Sequence, residues 1–245
     1  MLKDAWPALG AALCTLAFAP SAHADSPPYL TTDTAPADKI EATPFLDTSA
    51  TNGGYGLTYA VDTAIPLATG WEMTLVPRVV TIGDGRGAAT GLGDTEIAVK
   101  YLAWSDKAAQ LSIAFEPNIV LPTGGRRFGN DLVEAELPIL VSKAWGPWSL
   151  SGEFGYERDG AEPRNDHAPL SLLLERAVAG RFSLGAEIGD DVPLRSGRRA
   201  SREANLGGGW TIRDGLQLQV MVGRRTVGLD GPADVHSCLA LAVEF

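Results

Sequence analysis

Histidine, cysteine and long apolar runs are scarce in this chain, and each scarcity removes a class of function. The 245 residues include three histidines and two cysteines. Cys14 lies in an amino-terminal stretch expected to be removed, which leaves Cys238 alone and excludes an intramolecular disulfide. No apolar run approaches the ~18 residues that a membrane-spanning helix needs. Positive charge is short as well. The formal net charge is −10, and it stays there when Lys3 and Asp4 leave together. An acid-rich chain of this kind argues against nucleic acid as a partner.

The amino terminus carries an address. Lys3 precedes an apolar core from Ala8 to Ala19, and Ala22-His23-Ala24 is a small-x-small cleavage site before Asp25. Residues 1–24 therefore read as a secretory signal peptide. Residues 25–39, rich in Pro, Thr and Asp without a period, read as a flexible arm or plug. Residues 40–245 are left to form one β-domain.

What the chain does have is alternation. In the final stretch, Leu239, Leu241, Val243 and Phe245 share one face, while His236, Cys238, Ala240, Ala242 and Glu244 share the other. That is a strand with one apolar side. Ending on it suits a closed barrel, whose last strand pairs with its first and removes both edges. The same period recurs upstream, for instance where Leu111, Ile113, Phe115, Pro117, Ile119 and Leu121 oppose Gln110, Ser112, Ala114, Glu116 and Asn118. With a weak first strand at Ile40–Thr48, the pattern predicts twelve strands, an even number as bacterial barrels require.

Alternation alone fits a soluble β-sandwich too. Two further patterns favour the membrane. Connections at 67–70, 105–108, 144–147, 179–181 and 213–215 are tight, whereas those at 83–90, 122–131, 158–167, 190–202 and 226–233 are longer and polar. Short turns at one end and long loops at the other mark an outer-membrane barrel. Trp71, Trp104, Trp145, Trp148 and Trp210 all lie beside the tight turns, as an aromatic girdle at a membrane interface would. The predicted fold is all-β: a transmembrane antiparallel up-and-down β-barrel with short periplasmic turns and longer extracellular loops.

At Gly91-Leu92-Gly93-Asp94, with Val99-Lys100-Tyr101 closing the strand, the chain resembles a known family. Ile119-Val120-Leu121-Pro122-Thr123-Gly124, Tyr55-Gly56-Leu57-Thr58 and Ser142-Lys143 before a tight turn fit as well. The resemblance is to the outer-membrane transporters named for the meta-pathway of phenol degradation, and it runs from about Tyr55 to Phe245. It implies a barrel of about twelve strands that passes small, often aromatic or apolar, compounds. It carries over no catalytic residue.

The remaining polar residues offer few arrangements that could carry chemistry. A barrel hydrolase would need His and Ser two apart on one face, where one can activate the other. Here His236 is adjacent to Ser237, so the two point to opposite faces. His167 is assigned to a loop. No enzyme activity and no cofactor are expected. Glu96, Lys100, Glu116, Asn118, Glu134, Glu136, Glu153, Glu175, Arg181 and Glu187 are expected to face the lumen. Glu134 and Glu136 could form an acid/base pair or a metal site, but no His or Cys joins them. A lumen lined this way would favour cations. Gly83-Asp84-Gly85-Arg86-Gly87 lacks the context of a phosphate loop and reads as a loop tip. Arg126, Arg127, Arg195, Arg198, Arg199 and Arg202 gather in the long loops, where guanidinium groups suit the phosphates of lipopolysaccharide.

The sequence thus predicts a passive channel for small molecules in the outer membrane of a Gram-negative bacterium. The alternative is a non-conducting barrel that displays its loops. Outer-membrane lipid, lipopolysaccharide and the barrel-assembly machinery are the expected partners.

Overall fold

The computed structural model describes residues 27–51, 53–84, 86–130, 132–158, 166–195, 199–228 and 233–245. The signal peptide, Asp25 and Arg198 lie outside the described residues. Twelve antiparallel strands follow one another around a closed barrel. They are β1 (Glu41–Thr51), β2 (Gly54–Ala68), β3 (Trp71–Val76 continued by Arg78–Asp84) and β4 (Gly87–Leu92 continued by Thr95–Asp106). Next come β5 (Leu111–Phe115, Asn118–Leu121), β6 (Glu134–Glu136, Ile139–Trp145) and β7 (Trp148–Phe154, Glu157–Arg158). The unbroken strands β8 (His167–Ala179), β9 (Phe182–Pro193), β10 (Ser201–Arg213), β11 (Leu216–Val227) and β12 (Ala233–Glu244) complete the wall.

The seam is continuous. β12 pairs with β1 from Glu41 opposite Glu244 to Ala50 opposite Val235, and Phe245 donates its amide to the carbonyl of Ile40 at 2.9 Å. No sheet edge is left to find an unwanted partner. The weak first strand is therefore real and runs to Thr51.

The wall is inverted relative to a water-soluble domain. Leu206 is 64% exposed and Leu184 61%, whereas Lys100 is 0% exposed and Glu187 2%. Apolar side chains in this number on an outer surface exceed what water tolerates and match a wall that faces hydrocarbon. In lipid, only a structure that pairs every backbone group can span, and a closed ladder does so. Among the described residues no helix is long and apolar enough to cross a membrane.

Two features of the wall depart from simple alternation. First, β3 to β7 are each interrupted, at Pro77, Gly93-Asp94, Glu116-Pro117, Leu137-Pro138 and Gly155-Tyr156. Proline lacks a ladder donor, so three of these five breaks follow directly from sequence. Second, register shifts fall beside four of the tight turns, between Pro66/Ala68, Leu102/Trp104, Ala177/Ala179 and Thr211/Arg213. Each of the five tight turns also holds one residue at positive φ: glycine at 70, 146, 180 and 215, and Gln110 in the β4–β5 turn. A bulge of this kind adds twist and lets a hairpin close on a single left-handed residue.

One expected loop is absent. The predicted connection 83–90 is mostly ladder, because β3 and β4 stay paired to Asp84 opposite Gly87. The Asp84 carboxylate accepts from the amides of Arg86 (2.7 Å) and Gly87 (3.2 Å), which tightens the turn. Gly85 lies outside the described residues. The only helix among the described residues, α1 (Gly125–Phe128), is a single turn within the β5–β6 loop.

Candidate functional site

The lumen is lined by the polar half of each strand. Glu72 on β3 stands in register with Lys100 on β4, and the Lys100 ammonium lies 3.8 Å from the Glu116 carboxylate on β5. Arg78 pairs with Glu96, and the Asn118 amide donates to Glu136 at 3.2 Å. Across the barrel, Asn205 is a hub. Its amide donates to Glu187 (2.7 Å) and Glu203 (3.0 Å), while His236 Nε2 lies 2.9 Å from both the Asn205 oxygen and Glu203. Arg225 donates to the second Glu203 oxygen at 2.7 Å. Buried charges persist only when paired in this way.

The most consequential occupant of the lumen is the chain's own arm. Lys39 bonds Glu244 at 3.1 Å at the short-turn end, and the preceding residues run up inside the wall. The amide of Ala37 donates to Glu72. The Thr34 and Ser112 hydroxyls are 2.5 Å apart. The Thr32 amide donates to Glu153 (3.2 Å), and the Thr31 and Leu30 amides share Glu187 (2.7 and 3.1 Å). The Thr31 hydroxyl donates to Ser171 at 2.8 Å. An arm without secondary structure has unspent amide donors, and the lumen carboxylates need donors. The arm thereby contacts β3, β5, β7, β8 and β9 in turn.

Tyr29 ends this path in a notch. Gly185 on β9 and Gly207 on β10 are direct cross-strand partners. A Cβ built on Gly207 would meet the Tyr29 hydroxyl at 2.7 Å, and one on Gly185 would meet the Tyr29 ring carbon at 2.8 Å. Glu175 and Met221 flank the glycine pair in register. Burial, with Glu175 and Glu187 adding to it, raises the Tyr29 phenol above its ordinary range, so the hydroxyl stays protonated. Pro27, Pro28, Tyr29 and Leu30 floor a lumen chamber of about 540 Å³ that Asp47, Asp62, Arg78, Glu153 and Arg225 help to line.

Of the residues expected in the lumen, Glu96, Lys100, Glu116, Asn118, Glu134, Glu136, Glu153, Glu175 and Glu187 occupy inward positions of their strands. Glu134 lies near the long-loop end and accepts from Asn130 at 2.5 Å. Arg181 sits instead in the β8–β9 turn, exposed, where it donates to the Ile212 carbonyl at 2.7 Å. Leu239, Leu241, Val243 and Phe245 lie on the outer face of β12. His236 points inward while the Ser237 hydroxyl bonds Thr48 across the outer face at 2.9 Å, so the two never meet. His167, assigned to a loop, opens β8 and bonds Asp191 at 2.8 Å.

Trp71, Trp104, Trp145, Trp148 and Trp210 all lie within a few residues of the tight turns, at the short-turn end. Trp71 stacks on Tyr101 with centroids 4.3 Å apart, Trp210 stacks on Phe182 at 6.0 Å, and Arg176 lies 5.0 Å over Trp148. Trp145 and Trp148 face each other across their turn. Strict alternation would put Trp104 in the lumen with Lys100. The bulge after Leu102 turns it outward, opposite Ile113 and 47% exposed. Arg126 and Arg127 lie on α1, Arg195 and Arg199 on the β9–β10 loop, and Arg202 pairs with Asp190 at 3.0 Å on the outer wall.

Sequence reasoning puts Asp62 and Asn205 on the polar faces of their strands without singling them out, and it misses Glu72, Glu203 and Arg225 as lumen groups. Glu72 was hidden because the facing of Trp71–Ile82 is ambiguous around Pro77. The Asn205 hub depends on cross-strand register, which no single strand reveals.

A family model described as "Putative MetA-pathway of phenol degradation" matches residues 30–228. No curated protein matches the chain in sequence. Three solved structures share the fold. An outer membrane channel from Pseudomonas putida F1 is 14% identical, with a TM-score of 0.69 over 91% of this chain and 100% of that one. The NanC porin is 9% identical, with a TM-score of 0.65 over 83% and 100%. The CymD monoaromatic hydrocarbon channel is 6% identical, with a TM-score of 0.53 over 84% and 88%.

Proposed function

We propose that this chain, which belongs to the MetA-pathway of phenol degradation family, is an outer-membrane channel that passes small molecules passively. The observation that carries the proposal is the polar chamber of about 540 Å³ inside an apolar-walled barrel. Such a barrel has nowhere to sit but a lipid bilayer, and residues 1–24 would export it through the inner membrane of a Gram-negative cell. The family's name and the aromatic hydrocarbon channels among its structural neighbours support small aromatic compounds as permeants. The separation of His236 from Ser237 supports a barrel without hydrolase activity.

The test is current through a planar bilayer that holds the purified chain. The lumen displays more carboxylates than cations, so a small conductance selective for potassium over chloride is expected. A specific observation favours the second reading, a non-conducting barrel that presents its loops: the arm fills the lumen beneath the chamber. A bilayer that stays silent with the intact chain and with the arm removed would establish that reading and end the channel proposal.

A further inference from the structure

We propose that the Gly185–Gly207 notch is a binding subsite for a planar phenol ring, and that Tyr29 occupies it as an internal stand-in for that ligand. The inference rests on the channel reading and adds a ligand class and a place to it.

Three observations carry it. The two glycines face each other on neighbouring strands, and a Cβ on either would run into the hydroxyl end of Tyr29, with the Val220 carbonyl also 2.5 Å from one on Gly207. The absence of two side chains thus leaves room for the hydroxyl end of a phenol against the wall. The flanks of this hollow suit one end of a phenol each. Met221 offers a polarisable sulfur beside the ring, and Glu175 offers a carboxylate in register with Gly185. Finally, the Tyr29 hydroxyl is buried and has no hydrogen-bond partner among the described residues. The arm's other contacts, at Glu187, Ser171 and Glu153, fix where its tether can place the ring. A free phenol carries no tether. It can turn in the same hollow until its hydroxyl donates to Glu175, so it gains a bond that Tyr29 forgoes.

The subsite and the plug are then one device. A ligand that arrives in the chamber competes with Tyr29 for the notch, and winning it frees the upper end of the arm. While Tyr29 is seated, the apparent affinity for a phenol is lowered by the fraction of molecules whose notch is empty.

The experiment is titration of the refolded full chain in detergent with para-fluorophenol, followed by fluorine NMR. Tyr29→Ala vacates the notch and is expected to bind the probe about tenfold more tightly than the intact chain. Tyr29→Phe keeps the ring seated and should stay at the intact level. Adding Gly185→Ala to Tyr29→Ala should abolish the gain. The three atoms nearest to a Cβ at Gly185 all belong to Tyr29, so this change acts first on the space that the ring vacates. Heat-dependent gel migration verifies that each variant is a folded barrel. Equal affinity in the intact chain and Tyr29→Ala, or a gain that survives Gly185→Ala, overturns the subsite. Bilayer current separates this from the wider reading: current without ring binding sinks the subsite alone, and ring binding in a silent barrel sinks the channel alone.

Discussion

A chain shortened to begin at Ile40 is expected to conduct about tenfold more than one that keeps the arm, because a twelve-stranded lumen lies between the filled interior of eight strands and the water channel of sixteen. The arm fills that intermediate space. It has contacts with five strands, and the carboxylates of Glu72, Glu153 and Glu187 receive its amides. Hydrogen bonds to charged acceptors are worth about 1.5–3 kcal/mol each, enough to keep the arm seated for most of the time. The wall does not depend on them. Every strand is paired to two neighbours, and the seam closes through β1 and β12 without the arm. Heat-dependent migration should accordingly survive the truncation while single-channel current rises. Unchanged current in a correctly folded truncation would mean that the arm does not limit passage.

Leu206→Arg should be among the most damaging single changes on the outer wall. Leu206 is 64% exposed, with Ala186 and Val222 as its cross-strand partners. It lies four residues above Trp210, which at ~3.3 Å per residue and a tilt of about 40° places it roughly 10 Å into the apolar band. Arginine at that depth costs about 2–4 kcal/mol, whereas the same change on a water-exposed strand stays within ±0.5 kcal/mol. Urea titration of chains folded into lipid vesicles reads the difference directly. A cost below about 0.5 kcal/mol would mean that Leu206 does not face hydrocarbon.

Much of this architecture was legible because lipid outside and water inside impose a period of two on every strand. The closing face of Leu239, Leu241, Val243 and Phe245, and the glutamates at 96, 116, 134, 136, 153, 175 and 187, are direct products of that period. What escaped is what breaks it. The bulge after Leu102 reverses Trp104, and nothing in Leu102-Ala103-Trp104 announces an extra residue. Proline marks the breaks at Pro77, Pro117 and Pro138, but those at Gly93-Asp94 and Gly155-Tyr156 leave the alternation running on either side, so the sequence does not mark them. Turn chemistry in Gly83-Asp84-Gly85-Arg86-Gly87 resembled a long loop, because glycine-rich tips and long loops share a composition. Glycine hid the notch for the same reason that it forms one: Gly185 and Gly207 carry no side chain to register as inward or outward. The arm's course was invisible because its partners are residues 35 to 205 positions away along the chain.

The central claim is that the outer wall touches acyl chains, and the five tryptophans of residues 40–245 report on it together. All of them lie at the short-turn end, so intrinsic fluorescence observes that level alone. Vesicles made with brominated lipids should quench this fluorescence most strongly when the bromines lie close to the headgroups, and less when they lie near the chain ends. Fluorescence indifferent to brominated lipid at every depth would contradict the account, because the girdle would then be facing water or protein.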